Sequence, residues 1–458
     1  MTSDFLAADR DTLFLLPPSV QDWLPENHLA RFVVDIVAQL DLSALRESYA
    51  GRGSKAYDPQ MLIALLFYGY ATGIFSSRKL ERATYESIAF RYIAGNTHPD
   101  HDTIATFRKR FLGELKPLFV QILSLAHEMK LFKLGKISLD GTKVKANASK
   151  HQALSWQYAN KLEKQLKGEV EELLRQAERA DQSVIPDGMS IPEELERREN
   201  RLEAIAKAKQ EIERRAEERY LQEKAEYEEK LAERKRKEQE TGKKNNRKVP
   251  KAPEPGPKEK DQVNLTDEES RIMPVSGGGF MQAYNAQGSV DVETMLLVET
   301  HVSQQANDKK EMGPAVAGLS ALPESLGKVT EAIADAGYYS RANVTICEGA
   351  DITPYIAIGR EAHNKSLTER FSEPLPIAED ADAVTKMTHR LQTKAGKAVY
   401  ARRKCTIEPV FGIIKSVLGF RQFMLRGIEK VRGEWDLVSI AWNLKRMHVL
   451  QLHRLPLA

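Results

Sequence analysis

The chain has 458 residues, 41% hydrophobic and 29% charged, with a formal net charge of +3. That length supports two or three domains with real cores, and the near-neutral total excludes a chain that is basic or acidic throughout. Two cysteines, Cys347 and Cys405, with no CxxC pair exclude a disulfide framework and a cysteine zinc site, and point to a reducing compartment. The opening MTSDFLAADRD lacks a basic leader, and the longest apolar run, Leu62–Phe75, is too short to span a bilayer. A cytoplasmic chain with no membrane partner is expected.

Residues 1–25 read as an irregular arm stopped by Pro17, Pro18 and Pro25. With Asn27 as cap, Leu29, Phe32, Val33, Ile36, Val37 and Leu40 make one face of a helix. A second helix begins near Asp58-Pro59, and its run Met61–Tyr70 is apolar all round, which suits the centre of a helical domain. In AFRYIAGNTHPDHDTIATFRKRF, Asp102 is the expected cap of a helix that shows Arg108, Lys109 and Arg110. That pattern fits either a helix-turn-helix-like DNA reader or a bundle with one basic surface helix. His98 and His101, flanking Pro99-Asp100, read as loop residues rather than metal ligands.

In KISLDGTKVKANASK, Ile137-Ser138-Leu139 reads as a short buried strand that ends on Asp140, with Gly141 as a sharp exit. Lys143, Lys145 and Lys150 follow, so Asp140 belongs either to a surface ion pair or to a site. A charged insertion occupies 157–262. Leu162, Leu166, Val170, Leu173 and Leu174 form one helical stripe, and DQSVIPDGMSIP breaks it. Glu193–Glu240 is a long helix with a narrow seam through Leu195, Leu202, Ile205, Ile212, Ala216, Tyr220, Tyr227 and Leu231. The stretch TGKKNNRKVPKAPEPGPKEK is expected to be flexible. The hairpin is either a DNA-contacting or dimerising arm, or a solvated spacer.

Order returns at Val263, with a turn at Gly277–Gly279 and a strand at Met295–Val302. A helix follows in DKKEMGPAVAGLSALPESL, then a buried strand, Val329–Ala334, that ends on Asp335. Ile352–Ile358 is one more strand, and a helix from about Thr406 carries Glu408 with Pro409 in its first turn. The order implies an α/β (α+β) mixed sheet with helices on its faces. Without 157–262, Asp140 and Asp335 have a separation ordinary for neighbouring strands. From Lys386 to Ala458 there are 15 Lys/Arg against 4 Asp/Glu, which reads as a polyanion-facing surface.

Two strand-end aspartates and a helical glutamate suit magnesium, which takes hard oxygen ligands from few carboxylates. Two such ions can serve in-line phosphoryl displacement. Glu408 and Lys415 are two helical turns apart and share a face, so the lysine can hold a phosphate of the strand being cut. Tyr400, Arg402, Arg403 and Lys404 are placed to clamp the backbone.

The stretches HPDHDTIATFRKRF, ISLDGTKVKANASKH, NLTDEESRIM, GFMQAYNAQ, AIADAGYYS and YARRKCTIEPVFGIIK, in this order, carry a resemblance. The chain resembles the bacterial insertion-sequence transposases with an Asp-Asp-Glu triad on a ribonuclease-H-like fold. The subgroup it is closest to has a helical N-terminal domain and a charged insertion after the first catalytic strand. The resemblance implies that Asp140, Asp335 and Glu408 are both the catalytic residues and the metal ligands. The family's final signature is tyrosine, two residues, arginine, three residues, glutamate, six residues, lysine. Tyr400, Arg403, Glu408 and Lys415 fill it, with four residues between Arg403 and Glu408. DNA contacts are expected from Lys143, Lys145, Tyr400, Arg403, Lys415 and Arg108, and Asn307-Asp308 is expected near the substrate.

Three domains follow: 1–130, a helical DNA-binding domain; 131–156 with 263–458, the ribonuclease-H-like catalytic domain; and 157–262, the helical insertion. Two Mg²⁺ ions are implied, with Mn²⁺ able to substitute. Cleavage and strand transfer on double-stranded DNA, at terminal repeats and a target site, by a homodimer at the bacterial nucleoid are likewise implied. Two rivals stay open: a metal-dependent nuclease that only hydrolyses, and a DNA-binding scaffold whose acids are inactive.

Overall fold

The computed structural model describes residues 19–49, 56–179, 190–241, 249–275, 277–359 and 372–454. They fall into two compact units, Met1–Val144 with Tyr284–Ala458, and Lys145–Ala283.

The larger unit begins with helices. α1 (Leu29–Val37) buries Ala30, Phe32, Val33, Ile36 and Val37, as the three-and-four spacing requires. Its cap is His28 and not Asn27: the Nδ1 of His28 accepts from the Ala30 N–H, one of the donors a helix start leaves unpaired. α2 (Ser43–Glu47) is a short turn. α3 (Pro59–Ala71) starts on its proline, is capped by Asp58 and is buried all round. α4 (Ser77–Glu86), α5 (Ile88–Ile93), α6 (His101–Arg110) and α7 (Leu115–Glu128) complete the set. α6 is capped two residues earlier than expected. Asp100, not Asp102, accepts the Thr103 N–H at 2.8 Å, which leaves His101 inside the helix with its Nδ1 2.7 Å from Glu81. His98 stacks on Tyr85.

The expectation that Arg108 faces DNA is corrected. Its residue is 8% exposed, and its guanidinium donates to the Tyr70 hydroxyl at 3.0 Å and to the Phe75 carbonyl at 2.8 Å. The Tyr70 hydroxyl in turn donates to the buried Glu434 carboxylate at 3.2 Å. Burial pushes the Glu434 carboxyl up, while the Leu425 N–H, the Arg108 charge and the Met424 N–H oppose that rise. Lys109 and Arg110 are the exposed members of the trio.

β1 (Leu134–Lys145) then runs straight through Asp140 and Gly141. This corrects the expected short strand: Gly141 is not an exit but an interior strand residue.

The second unit is built on a helical hairpin. β2 (Ala153–Ser155) precedes α8 (Trp156–Arg179) and α9 (Ile191–Thr241). β3 (Gln262–Asn264) returns to pair antiparallel with β2. The 51 residues of α9 make a rod about 75 Å long. Leu154, Ala159, Leu166, Ile205, Ala208, Ile212 and Val263 form its core near that strand pair. The expected seam is buried from Ile205 to Ala216, whereas Tyr220, Tyr227 and Leu231 are only half-buried. Arg198–Glu169 at 2.8 Å and Lys209–Glu163 at 2.7 Å tie the two helices. The break expected at 181–192 lies mostly outside the described residues. The Lys/Pro-rich stretch does so only over 242–248. Its remainder packs back along α9, with Arg219 bonded to Asp261 and to the Gly256 carbonyl. β4 (Arg271–Pro274) pairs antiparallel with Phe280–Ala283, which open β5 (Phe280–Asp291), across the glycine turn. Gly277, Gly278 and Gly279 all have φ near +90°, a region closed to most side chains.

In the larger unit β5 is followed by β6 (Leu297–Ser303) and α10 (Met312–Ser320). β7 (Gly327–Ala334), α11 (Arg341–Gly349) and β8 (Thr353–Ile356) come next. Here the strand order is β6-β5-β1-β7-β8. β6 and β5 are antiparallel, and β1, β7 and β8 are mutually parallel. The Val292 N–H bonds to the Lys136 carbonyl, whereas Gly141 faces Gln287, so β1 and β5 run in opposite directions. This mixed order, with helices between the parallel strands, is the ribonuclease-H-like arrangement.

α12 (Ala383–Gln392), α13 (Lys394–Ala401) and α14 (Ile407–Gly412) precede the long buried α15 (Ile428–Leu452). The indoles of Trp435 and Trp442 donate to the Gln287 and Met295 carbonyls, so both tryptophans are structural.

Removing Arg108 leaves the Tyr70 hydroxyl and the Phe75 carbonyl without their buried donor. We expect Arg108→Ala to lower unfolding free energy by about 3 kcal/mol. Lys109→Ala should stay within about 0.5 kcal/mol of wild type. Urea unfolding of the two variants checks both values.

Candidate active site

The β1–β7 register explains why two distant acids meet. Ser138 pairs with Ile333 in parallel, so two residues further on Asp140 and Asp335 stand abreast. Asp140 lies within β1 and its Oδ1 accepts the Gly141 N–H at 2.8 Å. Asp335 follows the last residue of β7 and caps the turn Ala336–Tyr338, its Oδ1 accepting the Gly337 N–H at 2.8 Å.

Glu408 arrives from the first turn of α14, with its side chain 44% exposed. Arg403 connects it to the strands. One guanidinium nitrogen is 2.8 Å from Glu408 Oε1 and the other is 3.6 Å from Asp140 Oδ2. The extra residue between Arg403 and Glu408 is taken up by a 3₁₀ turn, Arg402–Cys405, and a break at Thr406. Arg403 Nε is buried with no hydrogen-bond partner.

The electrostatics are those of crowded acids. Burial pushes the Asp140 carboxyl up to about 7, and the charges of Asp335 and Asp308 add to the rise. The Gly141 N–H and Arg403 oppose it. A cation between these carboxylates is therefore favoured, and Arg403 already stands there as one. All the donors facing it are hard oxygens, the set a divalent ion such as magnesium prefers. The residues present thus fit a divalent cation. Among the described residues no three His, Cys, Asp or Glu side chains converge to enclose one ion by themselves. Asp140 with Asp335, or Asp140 with Glu408, would supply part of a shell that waters and phosphates complete.

Other residues singled out in the sequence are nearby. Lys143 Nζ is 3.4 Å from Asp308 Oδ1. Lys415 donates to the Lys143 carbonyl at 2.8 Å, and burial together with the Lys143 charge lowers its pKa. Tyr400 is half-buried and its phenol is raised by that burial, with Arg403 opposing the rise. Lys145 is exposed. Arg108 is not part of this site.

Three residues were not anticipated. Asn285 and Gln287 on β5 each donate to Asp308 Oδ1 at 2.7 Å, and the Tyr338 hydroxyl donates to Gln287 Oε1. The available signal was two polar residues alternating in GFMQAYNAQ, a strand otherwise fit for a core.

A raised folded-state pKa means that the folded chain holds its Asp140 proton more tightly than the unfolded chain does. Stability from this group is fully present below about pH 4 and is lost as pH rises through about 7. Asp140→Asn should flatten the pH dependence of urea unfolding in that window and be more stable than wild type at pH 8. At pH 8, Mg²⁺ should stabilise wild type and leave Asp140→Asn nearly unchanged.

Among the described residues no helix is long and apolar enough to cross a membrane. No curated protein matches the chain, and no solved structure does. Two family models match: a transposase domain (DUF772) over residues 18–110, and a transposase DDE domain over residues 369–448. The first covers most of the N-terminal helices, and the second covers Tyr400, Arg403, Glu408, Lys415 and most of α15. These two matches, at the N-terminal helices and at the segment that carries Glu408, support an insertion-sequence DDE transposase.

Proposed function

We propose that this transposase cuts DNA at the ends of an insertion sequence and joins them to a target through Asp140, Asp335 and Glu408. The observation carrying this reading is the Arg403 bridge between Asp140 and Glu408, with Asp335 alongside in register. Acids from three separate segments share one edge, and a cation already lies among them.

Asp140 and Asp335 would hold one Mg²⁺, and Asp140 with Glu408 the other. When bound, such ions activate an attacking water or 3′-hydroxyl and stabilise the leaving oxygen. Once its carboxylates are neutralised, Arg403 has a planar donor fork for a phosphate of the cleaved strand. Lys143 and Lys415 flank Asp140 and hold the neighbouring phosphates. Tyr400 packs beside Arg403 and limits where that side chain can go.

The domain assignment belongs to the same proposal. Residues 1–130 read the terminal sequence, with Lys109 rather than Arg108 on the DNA side. Residues 131–156 with 263–458 perform the chemistry, and 157–262 form an arm. Joining needs two ends together, so a homodimer on double-stranded DNA at the bacterial nucleoid completes the reading. The basic tail makes affinity fall steeply with salt.

The test uses DNA carrying the element's own ends, with Mg²⁺ and with EDTA. We expect metal-dependent cleavage and joining, lowered at least about 1,000-fold in Glu408→Gln, in line with losing about 4 kcal/mol of transition-state stabilisation. Cleavage without joining of pre-cut ends would leave a nuclease. Binding with no chemistry under any condition would leave the scaffold reading.

A further inference from the structure

Among the buried polar side chains of β5, Asn285 and Gln287 share one face and one partner. Asn285 is fully buried and Gln287 is 2% exposed. Their amide nitrogens converge on one oxygen, Asp308 Oδ1, and Lys143 approaches the same oxygen. The Tyr338 hydroxyl holds Gln287 Oε1, which fixes which end of that amide faces Asp308. One carboxylate oxygen is thereby committed. Among the described residues the other, Oδ2, receives no hydrogen bond, and it lies 3.7 Å from where a Cβ on Gly337 would stand.

Gly141 makes room for this carboxylate, and Gly337 lies next to it. A Cβ on Gly141 would fall 2.4 Å from Asp308 Oδ1 and 2.1 Å from Gln287 Nε2. A Cβ on Gly337 would fall 2.9 Å from Asp335 Oδ1 and 3.7 Å from Asp308 Oδ2. The residue after Asp140 and the second residue after Asp335 are therefore both without side chains, and Asp308 stands between them. A separate observation points to a ligand here. Asn285 Oδ1 is buried with no hydrogen-bond partner and lies 3.0 Å from that Gly141 Cβ position, so an unsatisfied hard oxygen sits beside the Asp308 carboxylate that the Asn285 amide nitrogen holds.

We propose that Asp308 is a fourth carboxylate of the divalent-cation site, with Oδ1 locked by Asn285 and Gln287 and Oδ2 presented beside Asp335 to the ion or to a water of its shell. The amide pair does what outer-shell partners of metal ligands do: it fixes the orientation of the acid that the ion meets. Lys143 balances the charge of Asp308 from the opposite side. The proposal rests on the reading of Asp140 and Asp335 as cation-holding acids.

The test is Mn²⁺ binding to the full chain by titration calorimetry, without DNA, for wild type, Asp308→Asn and Asp140→Asn. Asn at 308 still accepts both amides through Oδ1 and puts an uncharged nitrogen where Oδ2 was. We expect Mn²⁺ affinity to fall at least tenfold in Asp308→Asn, with the thermal midpoint in EDTA no lower than that of wild type. Unchanged affinity in Asp308→Asn, with a loss in Asp140→Asn, would make Asp308 a structural acceptor only. Unchanged affinity in both would also remove the reading of Asp140. Should Asp308→Asn fold poorly, Asp308→Glu carries the test: it keeps the charge and moves it by one methylene. Wild-type affinity in that variant would overturn the assignment.

Discussion

Two carboxylates held side by side at a half-dry sheet edge are the constraint to which the rest of this protein answers. The parallel register of β1 and β7 leaves no freedom in the matter, because Ser138 opposite Ile333 brings Asp140 level with Asp335. Water would screen the repulsion, but the Asp140 side chain is only 19% exposed, and its carboxyl rises to about 7. The compensation is visible on every side. The Gly141 N–H bonds to Asp140, the Gly337 N–H to Asp335, and Arg403 reaches Asp140 and Glu408 together. The Gly141 and Arg403 contacts stabilise the ionised form of Asp140, which burial disfavours.

A register this consequential has to be held, and the last helix contributes to that. α15 is buried along most of its length, yet it carries polar groups that end on strand backbone. Asn443 accepts the Leu297 N–H and donates to the Leu297 carbonyl, both at 2.8 Å. β6 is an edge strand within this unit, and such an edge presents unpaired backbone groups unless something covers it. Trp435 bonds to the Gln287 carbonyl on β5, the same residue whose side chain grips Asp308. Glu434 binds the Tyr70 hydroxyl, so the α3–α6 helices and the sheet answer to one scaffold. The helix that backs the sheet therefore also orients the strand carrying the amide pair.

The elements with a strong period were legible in the sequence. The apolar faces of α1 and α3, the strand ending at Asp335 and the helix bearing Glu408 were all readable from spacing and turn residues. What escaped depended on partners far away in the chain. Gly141 looked like a turn because Asp-Gly is a turn signal. Its real use is to admit Asp308 and Gln287, which lie 167 and 146 residues further on and appear beside it only once the sheet forms. Arg108 sits in a run of three basic residues, and nothing local says that its helix turns it inward toward Tyr70. The caps were misplaced by one or two residues, since Asn27, Asp100 and Asp102 are equally good candidates until the first turn is seen. The partial burial of the α9 seam has the same origin: a heptad pattern shows where a partner would pack, not how far along the partner reaches.

The spacing between Arg403 and Glu408 shows how a small departure in sequence is absorbed without losing the geometry. The 3₁₀ turn over Arg402–Cys405 winds more tightly than an α-helix, and Thr406 breaks the path before α14 begins. The extra residue is spent there, so the guanidinium still meets both acids. Its two contacts are unequal, 2.8 Å to Glu408 and 3.6 Å to Asp140. The shorter one goes to the acid that water reaches, where screening weakens each charge pair. The longer one acts where the surroundings are drier, and at a given distance charge attraction is stronger in such a medium. A single side chain can thus steady an exposed glutamate by a hydrogen bond and a half-buried aspartate by its field. That division explains why Arg403 need not sit midway between them to serve both.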